Sequence, residues 1–219
     1  MPTPVFAAIF DLDGVLTSTS ARHEQSWAEA ATAFGIPVSE AALQATRSVP
    51  RASALSAILA HAGVDLAPDI RENVMAFKNR RFHDLIENLT PADAFAGAFE
   101  AVALCRTLGM RVAVASASLN APLVLARIGL SSMVDFVADP GKAAPKPDAE
   151  IYRLACAAVG ALPRHVACIE DGAPMIANLR AGGLYTVGIG PAPLGADEQF
   201  PAIANWNVRA TRDQLSRRT

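Results

Sequence analysis

The sequence predicts an α/β protein: a Rossmann-like, doubly wound parallel sheet with a helical domain inserted after its first strand. Three observations carry this. Short apolar runs alternate with helix-length segments through the second half of the chain. The runs are apolar throughout rather than alternating, as strands covered on both faces are. Between the first run and the second, about a hundred residues show only helical patterns.

Taken in order, Val5 to Phe10 is the first strand, an apolar run that stops at Asp11. Helical patterns follow over Arg22 to Phe34, Ser39 to Thr46, Arg51 to Ala62 and Asp69 to Leu89. So long an insert is not a loop in a compact domain. It predicts a helical domain over 18–90 and an α/β core over 1–17 and 91–219, with joins near Thr17 to Ser20 and Thr90 to Asp93. Further strands are expected at Arg111 to Ala115, Phe136 to Ala138, His165 to Ile169 and Tyr185 to Ile189. Helices are expected between them, at Ala121 to Ile128, Ala149 to Val159 and Pro174 to Ala181. Right-handed crossovers place such helices on both faces of the sheet. Arg209, Arg212, Arg217 and Arg218 read most simply as a solvated tail.

Composition narrows the function. The 219 residues are 52% hydrophobic and 18% charged, which excludes a disordered chain. A net charge of -2 predicts no strong pull toward nucleic acid or an anionic membrane. No apolar run reaches the ~18 residues of a membrane helix, and the first residues lack a signal-peptide pattern. Cys105, Cys156 and Cys168 match no zinc spacing and read as buried, reduced thiols of a cytoplasmic protein. There is no GxxxxGK[ST] segment, and Gly188-Ile189-Gly190 lacks the third glycine of a dinucleotide fingerprint.

The chemistry concentrates at strand ends. Asp11-Leu12-Asp13-Gly14-Val15 follows the first strand directly, where ligands sit in open α/β sheets. Asp and Gly are also ordinary turn residues, but two carboxylates beside a core are costly unless a cation pairs them. Glu170-Asp171 ends another strand. Two acidic clusters of oxygen donors suit a hard cation, Mg2+ before others.

FDLDGVL, Ser116 to Ser118, Lys146-Pro147 and Ile169 to Asp171, in this order and each at a strand end, resemble the four motifs of the haloacid dehalogenase superfamily. The resemblance implies a HAD-like core, and it makes the helical insert a type 1 cap. Asp11 to Trp27, Lys78-Asn79, Thr90 to Gly97, Ala115 to Asn120 and Ala138 to Pro140 narrow it to the β-phosphoglucomutase group, over nearly the whole chain.

The resemblance implies a role for each residue. Asp11 is the nucleophile that forms an aspartyl phosphate, and Asp13 the general acid and base. Mg2+ binds Asp11, the Asp13 carbonyl and Asp171, with Glu170 nearby. Ser116, Lys146 and the Ala117 amide hold the transferring phosphoryl group. Thr19, His23 and Trp27 serve the junction with the cap. Ser48, Val49 and Arg51 form the cap loop, whose arginine clamps the other phosphate. Lys78 holds the sugar or the cap, and Ser118 and Asn120 complete the outer phosphate site.

Three segments depart from the pattern. Leu119 stands where the group has a lysine, Pro50 removes a backbone donor beside Arg51, and Gly172-Ala173-Pro174-Met175 replaces a segment that begins with serine. The implied reaction interconverts β-glucose 1-phosphate and glucose 6-phosphate through a sugar bisphosphate. The alternatives are a phosphatase of small sugar phosphates, favoured by Leu119, and a non-catalytic binding protein on the same fold. The expected partner is a small sugar phosphate, and the expected state a monomer.

Overall fold

The chain is described by a computed structural model over residues 4–47 and 49–218. Its fold is the predicted one, a single parallel sheet flanked by helices. The strands are β1 (Phe6–Phe10), β2 (Met110–Val114), β3 (Phe136–Val137), β4 (Val166–Glu170), β5 (Tyr185–Ile189) and β6 (Glu198–Phe200). They lie in the order β3-β2-β1-β4-β5-β6, all parallel. Strand β1 is therefore flanked by β2 and β4, and the chain winds outward from it in both directions. That reversal is the switch point at which the carboxyl ends of neighbouring strands leave a crevice.

The chain divides into two compact units, Met1–Ser18 with Thr90–Thr219, and Thr19–Leu89. In the first unit, α5 (Ala98–Thr107), α6 (Ala121–Arg127), α7 (Glu150–Val159), α8 (Ala173–Ala181) and α9 (Val208–Arg217) flank the sheet. Helix α7 is strongly two-faced. It buries Ile151, Tyr152, Ala155 and Cys156 in one core with Ala7 and Ile9 of β1 and Cys168 of β4. The small alanines let helix and sheet approach closely. All three cysteines are buried, and burial pushes the thiol of Cys105 up to about 12 and that of Cys156 up to about 11. They stay protonated and act as small hydrophobes.

The second unit is α1 (Ser20–Ala33), α2 (Glu40–Gln44), α3 (Arg51–Ala62) and α4 (Pro68–Ile86). Its core joins Trp27, Ala30 and Ala31 of α1 to Leu55, Ile58 and Leu59 of α3 and Val74 of α4. Pro68 opens α4 where a missing N–H costs nothing, and Gly63 ends α3 at φ 64°, the left-handed cap that favours glycine.

Three elements lie outside the expectations. Helix α5 carries a buried face of Ala98, Ala101, Val102 and Cys105 that its short length hides from a period count. Strand β6, sequence EQF, is a polar edge strand with no apolar run to announce it. The C-terminal arginines form a helix rather than a tail, with Arg209 and Arg217 exposed as expected and Arg212 and Arg218 half-buried. They lie on or beside α9, which buries Val208, Thr211 and Leu215. The Arg212 guanidinium carbon sits 3.4 Å from the centre of the Phe6 ring, and Arg218 donates to the Gly183 carbonyl. Stacking on an aromatic face takes part of Arg212 out of the solvent that its charge suggested. Among the described residues, no helix is long and apolar enough to cross a membrane.

Candidate active site

The first unit brings Asp11, Asp13, Glu170 and Asp171 to one end of the sheet. Beyond β1, Asp11 still donates its N–H to the Ile169 carbonyl of β4 at 2.9 Å, and Ala115 donates to the Phe10 carbonyl at 2.8 Å. The ladder thus runs one residue past each strand and fixes the backbone at Asp11 and beside Ser116. The next turn is tight: the amides of Leu16 and Thr17 both donate to the Leu12 carbonyl, and Gly14 donates to Thr17 at 2.8 Å. Asp13 lies within this turn, half-buried. Gly14 has φ 94°, and a Cβ there would lie 1.8 Å from Asp171 Oδ2. Only glycine lets the β1 turn pass so close to the β4 carboxylate.

Lys146 comes from the segment before α7 and is buried. Its ammonium donates to Asp11 Oδ1 at 2.9 Å and to Glu170 Oε1 at 2.7 Å. Burial pushes Asp11 up to about 8, against the pull of Lys146 and with the added push of Glu170. Asp171 is raised as well, by desolvation and by Glu170. Burial works against the Lys146 charge, yet the two carboxylates that it touches hold it above its ordinary range. The cluster is therefore short of positive charge. Oxygens of Asp11, Glu170 and Asp171 lie within 4.8 Å of one another. An all-oxygen anionic set with a single ammonium fits a hard divalent cation. Glu170 is engaged on both oxygens: Oε1 by Lys146 and Tyr152, Oε2 by the amides of Asp171 and Gly172. Asp171 is the more open of the pair.

The loop from Ala115 to Asn120 follows β2. Ser116 is buried, and its Oγ accepts the Ser118 amide at 3.1 Å; Ser118 Oγ accepts the Asn120 amide at 3.2 Å. These two turns order the loop and lead into α6. Ala117 is half-buried between them, Asn120 is buried, and Leu119 stands 56% exposed.

The second unit groups its own predicted residues. Lys78 is 2% exposed, and its ammonium meets His23 Nδ1 at 2.6 Å. It also lies 5.4 Å from the Trp27 ring centre and 4.7 Å from that of Phe82. The His23 ring stacks on Phe82 with centroids 3.8 Å apart. An ammonium can only donate, so Nδ1 accepts and the imidazole proton sits on Nε2. Burial first, then the Lys78 and Arg51 charges, hold His23 well below its ordinary range. Arg51, in the first turn of α3, donates to Asn79 Oδ1 at 2.6 Å. Val49 packs against the helical core, and the Thr19 carbonyl accepts the His23 amide. Ser48 lies outside the described residues.

Sequence reasoning passed over Tyr152, which is 0% exposed and donates to Glu170 Oε1 at 3.2 Å. The available signal was a hydroxyl on the apolar face of α7, six residues after Lys146.

A family model described as haloacid dehalogenase-like hydrolase matches residues 7–183. A β-phosphoglucomutase of Bacillus subtilis is 32% identical over 196 residues, 87% of each chain. Hexitol phosphatase B of Escherichia coli O157:H7 is 25% identical over 221 residues, covering 93% of this chain and 91% of its own. Among solved structures, a β-phosphoglucomutase from Clostridium difficile superposes with a TM-score of 0.89 at 25% identity, over 97% of this chain and 98% of that one.

Proposed function

We propose that this chain, which belongs to the haloacid dehalogenase-like hydrolase family, is a phosphomutase that interconverts β-glucose 1-phosphate and glucose 6-phosphate. The observation that carries phosphoryl transfer is the Lys146 ammonium held between Asp11 and Glu170, with Asp171 beside them at the crevice. Mutase over hydrolase rests on the 32% identity to the Bacillus subtilis β-phosphoglucomutase.

In this reading the cycle starts with Asp11 as an aspartyl phosphate, primed by the bisphosphate. Asp13 takes the proton from the 6-hydroxyl of β-glucose 1-phosphate as that oxygen attacks the phosphorus and the bond to Asp11 breaks, which gives the sugar bisphosphate. The bisphosphate turns over in the site. Asp11 then attacks the other phosphorus, and the bond to the C1 oxygen breaks as Asp13 protonates that oxygen; glucose 6-phosphate leaves and the aspartyl phosphate is restored. Lys146, Ser116 and the Ala117 amide hold the phosphoryl oxygens and offset the charge that develops there. Asp11, Asp171 and the Asp13 carbonyl would hold Mg2+, with Glu170 bordering them. Bound there, the cation would screen the repulsion between anionic nucleophile and anionic phosphate. In the helical unit, Arg51, Lys78 and His23 supply the polar groups for the rest of the substrate, and we assign Thr19, Trp27, Val49 and Ser48 to the same task. Ser118 and Asn120 serve the outer phosphate. The buried thiols suit a reducing compartment, and we assign the protein to the cytoplasm.

One observation favours a second reading, a phosphatase of small sugar phosphates. Leu119 leaves an exposed apolar side chain, and no ammonium, on the phosphate-binding loop. One assay decides. Purified protein with Mg2+, β-glucose 1-phosphate and a trace of β-glucose 1,6-bisphosphate is followed for glucose 6-phosphate and free phosphate together. Fast glucose 6-phosphate with little free phosphate supports the mutase. Free phosphate without glucose 6-phosphate overturns it in favour of the phosphatase.

A further inference from the structure

We propose that Tyr152 is a positioning residue of this site, holding Glu170 and Lys146 in the arrangement that phosphoryl transfer needs. The inference rests on the phosphoryl-transfer reading above and deepens it. Tyr152 lies in the first turns of α7, fully buried, and its neighbours on that face are Ile151, Ala155 and Cys156. A phenylalanine would fill the same space. What requires tyrosine there is the partner of its hydroxyl, Glu170 Oε1 at 3.2 Å. That same oxygen accepts from Lys146 at 2.7 Å, and the Lys146 ammonium lies 5.2 Å from the centre of the Tyr152 ring. Tyrosine thus meets the carboxylate with its hydroxyl and the ammonium with its ring face.

The consequence reaches further through Glu170. Its Oε2 accepts the amides of Asp171 at 2.9 Å and Gly172 at 3.1 Å. A carboxylate held at both oxygens has one orientation. Tyr152 therefore sets the orientation from which Glu170 fixes both the ammonium facing Asp11 and the backbone that carries Asp171. Groups that orient a ligand's neighbours typically change activity or metal affinity by about 10–100-fold when lost.

The test compares wild type, Tyr152→Phe and Tyr152→Leu, alone and combined with Glu170→Gln. Activity is read as glucose 6-phosphate and free phosphate formed from β-glucose 1-phosphate primed with a trace of β-glucose 1,6-bisphosphate, and Mg2+ is titrated calorimetrically into substrate-free protein. Tyr152→Phe is expected to keep the fold, to lower kcat about tenfold and to leave KM within twofold. In the Glu170→Gln background the same change is expected to cost less than twofold, because Tyr152 acts through Glu170. Wild-type kcat in Tyr152→Phe with a defect only in Tyr152→Leu would mean packing alone, and would overturn the inference. So would a tenfold loss that persists beside Glu170→Gln. A wild type that turns over and binds Mg2+ while Tyr152→Phe matches it overturns the inference and spares the function. A wild type that does neither overturns both.

Discussion

Replacing Gly14 by alanine tests how tightly the β1 turn and the β4 carboxylate are fitted together. The added Cβ would lie 1.8 Å from Asp171 Oδ2 and 2.4 Å from its Cγ. The turn cannot give way easily, because Gly14 donates to Thr17 at 2.8 Å and Leu12 holds two further amides. Asp171 gives instead, retreating by more than about 1 Å to restore ordinary van der Waals contact. Alanine at φ 94° adds about 1–2 kcal/mol of backbone strain. For a chain of this size that lowers Tm by roughly 2–8 °C. Gly63→Ala is the control: φ is 64°, and nothing lies within 4 Å of its Cβ. It should lose similar stability and nothing else. Gly14→Ala should also raise the half-saturating Mg2+ at least tenfold and cut kcat, since a displacement of about 1 Å at a reacting centre can cost about a hundredfold. The assay is kcat against Mg2+ concentration, with calorimetric Mg2+ binding and thermal melts for both variants. Wild-type Mg2+ dependence and kcat in Gly14→Ala would refute the argument that the glycine exists to seat Asp171.

Asp11→Asn should lower turnover about a thousandfold or more and abolish the stabilisation that saturating Mg2+ gives wild type, about 2.7 kcal/mol at a hundred times Kd and read as a rise in Tm; residual turnover within tenfold would sink the covalent mechanism. His23 is held neutral when folded but titrates near 6.5 when unfolded, so the unfolded chain binds the proton first as pH falls. The His23 share of stability should therefore fall below about pH 6.5 by up to ~1.4 kcal/mol per pH unit, against the opposite trend of the raised Asp11 and Asp171 carboxyls; relative to wild type, His23→Gln should gain stability between urea melts at pH 7.5 and 5.5, and a constant difference between the two would place the proton elsewhere. Leu119→Lys, on an exposed loop position, should tighten β-glucose 1,6-bisphosphate about three- to tenfold in competition assays. Unchanged affinity would remove the loop from the outer phosphate site.

What the sequence determined by itself was whatever local pattern encodes. Apolar runs of strand length, helical periods and the acidic pairs at Asp11-Asp13 and Glu170-Asp171 are short-range signals. They sufficed for the parallel sheet and for the carboxylates at its end. Helix α9 escaped because its arginines outweigh the buried Val208, Thr211 and Leu215 in any local count, and β6 because a three-residue polar edge has no period. The tertiary structure alone decided the partners. Lys146 meets Asp11 across 135 residues of chain, and Tyr152 meets Glu170 across 18. Nothing local reveals such meetings. They follow from strand order, which sets β1 beside β4, and from the packing of α7 on the sheet beneath them. The physical reason is that a periodic pattern records which face a residue buries, whereas the group that it meets there depends on which elements the whole chain packs together.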